Sequence, residues 1–206
     1  MLGKTHIVAG VGAAVTTAAL IHAAVTPDLV ILGGLGGLAP DLDHPQALLT
    51  RHLLGASTAS SVARSTGWVR HRGVAHSVVA LMLTTWILLP WGAAGVGRLL
   101  LALGAGIGHP GWISALDHIW GPGLRIGWGA GYASHMLVDI LNTKGVQWFW
   151  PLNLWIKSPI PNITVGTWPE TVFRWGLIMG LVYWNPWLGL ITAGSSELIY
   201  RGVKAG

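Results

Sequence analysis

The sequence predicts an all-α fold: a polytopic membrane helical bundle with short or re-entrant helices and a polar site at the membrane interface. Three observations carry that expectation. Of 206 residues, 52% are hydrophobic and only 9% charged, against about 25% charged in ordinary soluble domains. Several apolar runs approach the ~20 residues a helix needs to cross a hydrocarbon core ~30 Å thick. The 13 Trp and 3 Tyr crowd the ends of these runs, as at Trp91, Trp148, Trp150, Trp155, Trp184 and Trp187, where an interfacial aromatic belt would sit. No linker divides the chain, so 1–206 reads as one domain.

Taken in order, Ile7 to Val25 is long enough to span, and it reads as a retained helix because its apolar run exceeds that of a signal peptide. Pro27 suits the first turn of a second, Gly-rich helix, Leu29 to Ala39, which is too short to cross alone. A polar surface stretch runs from Gln46 to Arg72, and Ser77 to Trp91 forms the next membrane helix. Between Arg98 and Trp120 the glycines and His109-Pro110-Gly111 interrupt an apolar segment, which fits a hairpin or re-entrant pair. Ile126 to Asn142 is a helix; the Trp- and Pro-rich stretch Gly145 to Pro169 is an interfacial loop. Val172 to Tyr200 is broken at Asn185-Pro186 into two short helices or one kinked span.

The formal charge of +5 and the scarcity of acids suit anionic headgroups, so membrane lipid is the expected partner. No basic stripe points to nucleic acid. With no cysteine, disulfides and thiolate metal sites are excluded. Lys4, Arg51, Arg64, Arg70, Arg72, Lys144 and Lys157 flank the polar loops, which places those loops, and the site, on the cytoplasmic side.

That topology gathers four polar groups: His6; Asp41, Asp43 and His44; His71 and His76; His135 and Asp139. His135 and Asp139 are four apart and share a helix face. Taken singly, each motif also reads as a helix cap, turn or ion pair. Together they take three of the chain's seven acids and five of its nine histidines, and ionisable groups at a membrane helix edge are costly unless they pair or line a site. Imidazole with carboxylate suits a divalent ion, zinc foremost, with manganese or iron as alternatives. With two or more such ions about 3.5 to 4 Å apart the site can activate water and clamp a phosphodiester. The sequence lacks H-E-x-x-H and G-x-S-x-G, so neither a zinc protease nor a serine hydrolase of those types is expected.

The order of these blocks resembles the YdjM family of inner-membrane proteins, described as metal-dependent hydrolases and as LexA-binding. The matching blocks are Thr5-His6, PDLDHP at 40–45, HRGVAHS at 71–77 and GYASHMLVDILNTKGVQWFWP at 131–151, with a weaker GTWPET at 166–171. Ala75 stands where the family usually has Thr, and Asn142-Thr143 where it has Thr-Pro. The resemblance implies an inner-membrane, phospholipase-like hydrolase with a His/Asp metal site; the LexA description reads as regulation.

The expectation is therefore a membrane-bound, metal-dependent hydrolase of a phosphoester in a lipid or lipid-linked substrate. His6, Asp41, Asp43, His44, His71, His76, His135 and Asp139 are the candidate metal ligands. Asp43 or Glu170 would take the proton of a metal-activated water, Arg72 would hold the phosphate, and Ser77 and Ser134 would orient ligands. The alternative is a non-catalytic metal-binding membrane protein or a metal-ion carrier.

Overall fold

The computed structural model describes residues 1–43, 73–92, 122–159 and 163–205. Among them the architecture is helical, with two isolated bridges, Asn142 to Ile163 and Val146 to Ile156, and no strand. The chain opens with α1 (Gly3–Leu20) and α2 (Pro27–Gly36), followed by a 3-10 turn over Ala39–Asp43. A second 3-10 turn, Val74–His76, leads into α3 (Val78–Leu83), which continues through a π-type turn at Thr84–Leu88. Three further helices are α4 (Pro122–Ile140), α5 (Trp168–Trp184) and α6 (Pro186–Ala205).

The boundaries follow local chemistry. Pro27 opens α2 where its missing N–H costs nothing. Ser77 caps α3: its hydroxyl accepts from Ala80 N at 3.2 Å and donates to the Val74 carbonyl at 2.6 Å. Asn185 takes an extended conformation between α5 and α6, and its side chain accepts from Leu188 N at 3.1 Å. The expected break at Asn185-Pro186 is thus two helices. They fold back on each other so closely that a Cβ on Gly189 would strike Val182.

Helices α1, α2 and α4 form the inner layer, and glycine sets their spacing. A Cβ on Gly10 or Gly131 would overlap the Gly33 carbonyl, and one on Gly37 would overlap that of His6. Backbone contact of this kind brings α4 against both α1 and α2 and fixes what their ends present to one another. Val8, Val11, Val15 and Leu29 pack with Ile178 and Leu181 of α5 as the main apolar core.

The spanning helices expected from composition are corrected here. No helix among the described residues is long and apolar enough to cross a membrane. The first is shifted to Gly3–Leu20 and carries Lys4 and His6 inside it; the second is ten residues long, only about 15 Å. Apolar side chains nevertheless face outward, including Trp91, Tyr183, Trp184 and Trp187. The expected hairpin over 98–120 and polar stretch 46–72 lie outside the described residues.

Candidate metal centre

The centre forms where α1 begins, α2 runs into its 3-10 turn, α3 is entered and α4 ends. His6 comes from the second turn of α1, Asp41 from the turn after α2, His76 from the turn before α3, and His135 and Asp139 from the last turns of α4. His6, His76 and His135 are fully buried and Asp139 nearly so. The Asp41 side chain retains 19% exposure, which makes it the open edge of the cluster.

The orientation of the imidazoles is the informative part. His135 Nδ1 donates to the Gly37 carbonyl at 2.7 Å, which fixes a neutral tautomer with its lone pair on Nε2. That Nε2 stands 3.2 Å from His76 Nε2, 3.6 Å from Asp41 Oδ1 and 3.9 Å from Asp139 Oδ2. His6 stacks on His135 with ring centroids 3.7 Å apart, and its Nε2 lies 3.4 Å from Asp139 Oδ1. Both ring nitrogens of His6 are buried without a hydrogen bond, which normally costs stability. Donor atoms around a tetrahedral ion with bonds of ~2.1 Å are ~3.4 Å apart. The observed spacings match that value, so this donor set fits a divalent cation.

Two groups of ligand atoms lie within 4.8 Å of one another, close enough to share an ion: His6, Asp41 and His135, and His76, His135 and Asp139. They share His135, whose second nitrogen is occupied by Gly37. The two groups therefore overlap at His135.

The titration behaviour agrees. Burial pushes His135 down to about 3, with His6 adding to the effect, so the ring is neutral and available as a ligand at ordinary pH. Burial alone would raise Asp41, but the imidazoles of His135, His76 and His6 hold it well below the usual carboxylate range. Asp139 is likewise held low against its burial, chiefly by His6.

Of the eight ligands expected from sequence, the structure brings together five: His6, Asp41, His76, His135 and Asp139. His44, His71 and Arg72 lie outside the described residues, as does the side chain of Asp43, whose backbone belongs to the 3-10 turn. Glu170 is in neither ligand group. Its buried carboxylate accepts from Leu2 N, from Thr5 Oγ1 at 2.7 Å and from Gly166 N at 2.7 Å, tying the start of α1 to the start of α5. Ser77 and Ser134 bond backbone carbonyls of their own segments, so neither orients a ligand through its hydroxyl.

Sequence reasoning missed two supports. Gly37 sits in a run, GGLGGLAP, that reads as packing glycine, and its carbonyl is the partner of His135. Tyr132 donates its phenol to the Ala75 carbonyl, holding the His76 turn against α4. Its spacing was the available signal, since it lies three residues before His135 on the same face.

Comparison with known proteins now decides the family. The pattern of the YdjM inner membrane protein family matches residues 1–201. The chain belongs to the YdjM family. Inner membrane protein YdjM of Escherichia coli K12 and that of Shigella flexneri are each 30% identical over 154 residues, covering 73% of this chain and 61% of theirs. The chain thus spans about three fifths of the length of those relatives. The uncharacterized protein YvsG of Bacillus subtilis is 24% identical over 186 residues, covering 89% of this chain and 94% of its own. No solved structure matches. The family description agrees with the resemblance carried by PDLDHP, HRGVAHS and the α4 motif; the expected multi-pass topology and cytoplasmic placement gain no support from the described helices.

Proposed function

We propose that this YdjM-family protein is a membrane-bound, metal-dependent hydrolase that cleaves a phosphoester bond of a lipid or lipid-linked substrate. The observation that supports it most is the pair of Nε2 atoms 3.2 Å apart, with His135 tied through Nδ1 to Gly37. His6, Asp41, His76, His135 and Asp139 would hold the ion, zinc foremost. Such an ion supplies Lewis acidity toward a phosphoryl oxygen and lowers the pKa of a bound water. Asp41, the one partly exposed carboxylate of the cluster, marks the edge at which water would enter, and Asp43, two residues on, keeps the proton-accepting role expected of it. Arg72 and the adjoining His71 keep the roles given them by sequence, phosphate binding and coordination. Membrane residence is inferred from the inner-membrane family and the outward-facing Trp side chains.

A second reading has its own support. Structural metal sites are closed by protein donors, while catalytic sites keep an open position. Five side chains converge here and most are fully buried, which favours a non-catalytic metal-binding protein. The edge at Asp41 favours the enzyme.

Metal analysis of the purified protein, alongside His135→Ala and Asp139→Ala, separates these readings when joined to release of the headgroup, free or phosphorylated, from a phospholipid panel with and without chelator. The hydrolase is expected to bind about one ion, to lose at least tenfold in occupancy in either variant, and to stop turning over when chelated. Stoichiometric metal without turnover supports the structural centre, and absence of metal from the wild type refutes both.

A further inference from the structure

Helix α5 turns a stripe of four side chains inward: Glu170, Arg174, Ile178 and Leu181. Ile178 and Leu181 pack with Val8, Val11 and Val15 of α1, and Glu170 accepts from Leu2 N, Thr5 Oγ1 and Gly166 N. Arg174 lies between them on the same face and is only 7% exposed. Its Nη1 is sealed from solvent without a hydrogen-bond partner among the described residues. Nε and Nη2 are neither hydrogen-bonded nor sealed, so the guanidinium opens toward the surface on one side. The register of the helices places it further. Val182 of α5 meets Gly189 of α6, and Ala193 joins the cluster around Ile178, so the antiparallel pairing continues to Ser196 and Glu197 opposite Arg174. Glu197 in turn pairs with Lys4 of α1 at 3.4 Å. Arg174 and Lys4 thus stand at one level, where α1, α5 and α6 meet.

A guanidinium keeps its charge in proteins, and a buried charge without a counter-charge is destabilising. The chain has seven acids. Asp41 and Asp139 face the metal centre, Asp28 lies at the start of α2 beside Gly123, Glu197 is engaged by Lys4 and Glu170 by its three donors. The side chains of Asp43 and Asp117 lie outside the described residues. The surroundings select an anion from outside the chain. Trp168 and Trp175 are exposed and, seven residues apart, share one face of α5; Trp175 adjoins Arg174. Indoles concentrate at headgroup depth, and basic sites between membrane helices take anionic headgroups. The planar fork of a guanidinium matches phosphate oxygens two at a time. We propose that Arg174, flanked by Lys4, binds the phosphate of an anionic phospholipid headgroup at the junction of α1, α5 and α6. This goes beyond the hydrolase reading and does not depend on the metal centre.

The test uses the full chain, stripped of lipid in dodecyl maltoside. Its thermal midpoint is measured with phosphatidylglycerol, with phosphatidylcholine and with inorganic phosphate at matched concentration, since a ligand of the folded state raises the midpoint by mass action. Phosphatidylglycerol is expected to raise it most, and native mass spectrometry to show one tightly retained molecule. In Arg174→Met, which keeps the apolar stem, affinity for phosphatidylglycerol is expected to fall at least tenfold. The lipid-free midpoint is expected not to fall, because the substitution removes a charge that has no partner; Arg174→Gln gives the same comparison in a second variant. A lipid-free midpoint lowered in both variants shows that Arg174 is paired inside the chain and overturns the proposal. So does a response to phosphatidylglycerol that is equal in wild type and variants, or no larger than that to phosphatidylcholine. If inorganic phosphate gives the same Arg174-dependent rise as phosphatidylglycerol, the phosphate site stands and its lipid source is overturned.

Discussion

His135 is constrained at both ring nitrogens, and its neighbours are constrained through it. Burial holds its pKa near 3, below the ordinary value of about 6.5. A histidine whose folded pKa is depressed contributes stability that is complete above its unfolded pKa and is lost as pH falls toward the folded one. Asp41 and Asp139, also depressed, contribute above the ordinary carboxylate range and lose that contribution below it. All three signs agree but the windows differ: the His135 part is lost from about pH 6.5 down toward pH 3, and the carboxylate part only below about pH 4. The thermal midpoint of the metal-free protein is therefore expected to fall between about pH 6.5 and pH 4 through His135 and further below about pH 4; a midpoint flat from about pH 6.5 to pH 4 would contradict the assignment. Glu170 gives a contrasting residue-scale prediction. Its carboxylate holds three donors and touches no ligand group, so Glu170→Gln is expected to cost about 1–3 kcal/mol of stability while leaving metal content intact. Calorimetry with metal analysis checks this, and loss of metal at unchanged stability would restore Glu170 to the ligand set.

At the scale of elements, the centre depends on how closely α2 and α4 approach. Gly131 lies against the Gly33 carbonyl without room for a methyl group. Gly131→Ala is therefore expected to push α4 from α2, costing about 1–3 kcal/mol, and to draw His135 away from Gly37. Denaturant unfolding and zinc titration should show both losses together; weaker zinc binding with full stability would mean that the helices do not move as units. Much of this arrangement was legible beforehand. Four-residue spacing put His135 and Asp139 on one face, Asn185-Pro186 marked a break, and PDLDHP marked a turn carrying Asp41. The Gly37 carbonyl was not legible, because a backbone acceptor leaves no trace in residue type. Nor was the clamp on Glu170, whose donors Leu2, Thr5 and Gly166 are ordinary residues brought together only by packing. The helix limits were misplaced where polar side chains enter apolar runs: hydropathy began α1 at Ile7, yet Lys4 and His6 lie inside the helix, their polar ends reaching Glu197 and Asp139.

At the scale of the molecule, the tension is between described helices too short or too polar to cross a bilayer and the outward apolar groups that these same residues carry. Trp91, Trp168 and Trp187 are each more than three quarters exposed and Tyr183 is 94% exposed, an arrangement costly in water. Trp and Tyr gain most at the headgroup level, where the ring is buried and the polar edge stays wet. The formal charge of +5 adds attraction to anionic lipid, which salt screens over about 10 Å at 0.1 M. The two contributions separate by experiment. If apolar insertion dominates, the protein stays with the membrane fraction through 1 M salt and alkaline carbonate, and replacing Tyr183, Trp184 and Trp187 together with Ser releases a substantial part of it to carbonate. Release of the unaltered protein by salt alone would show that charge, rather than the aromatic surface of α5 and α6, holds it at the membrane.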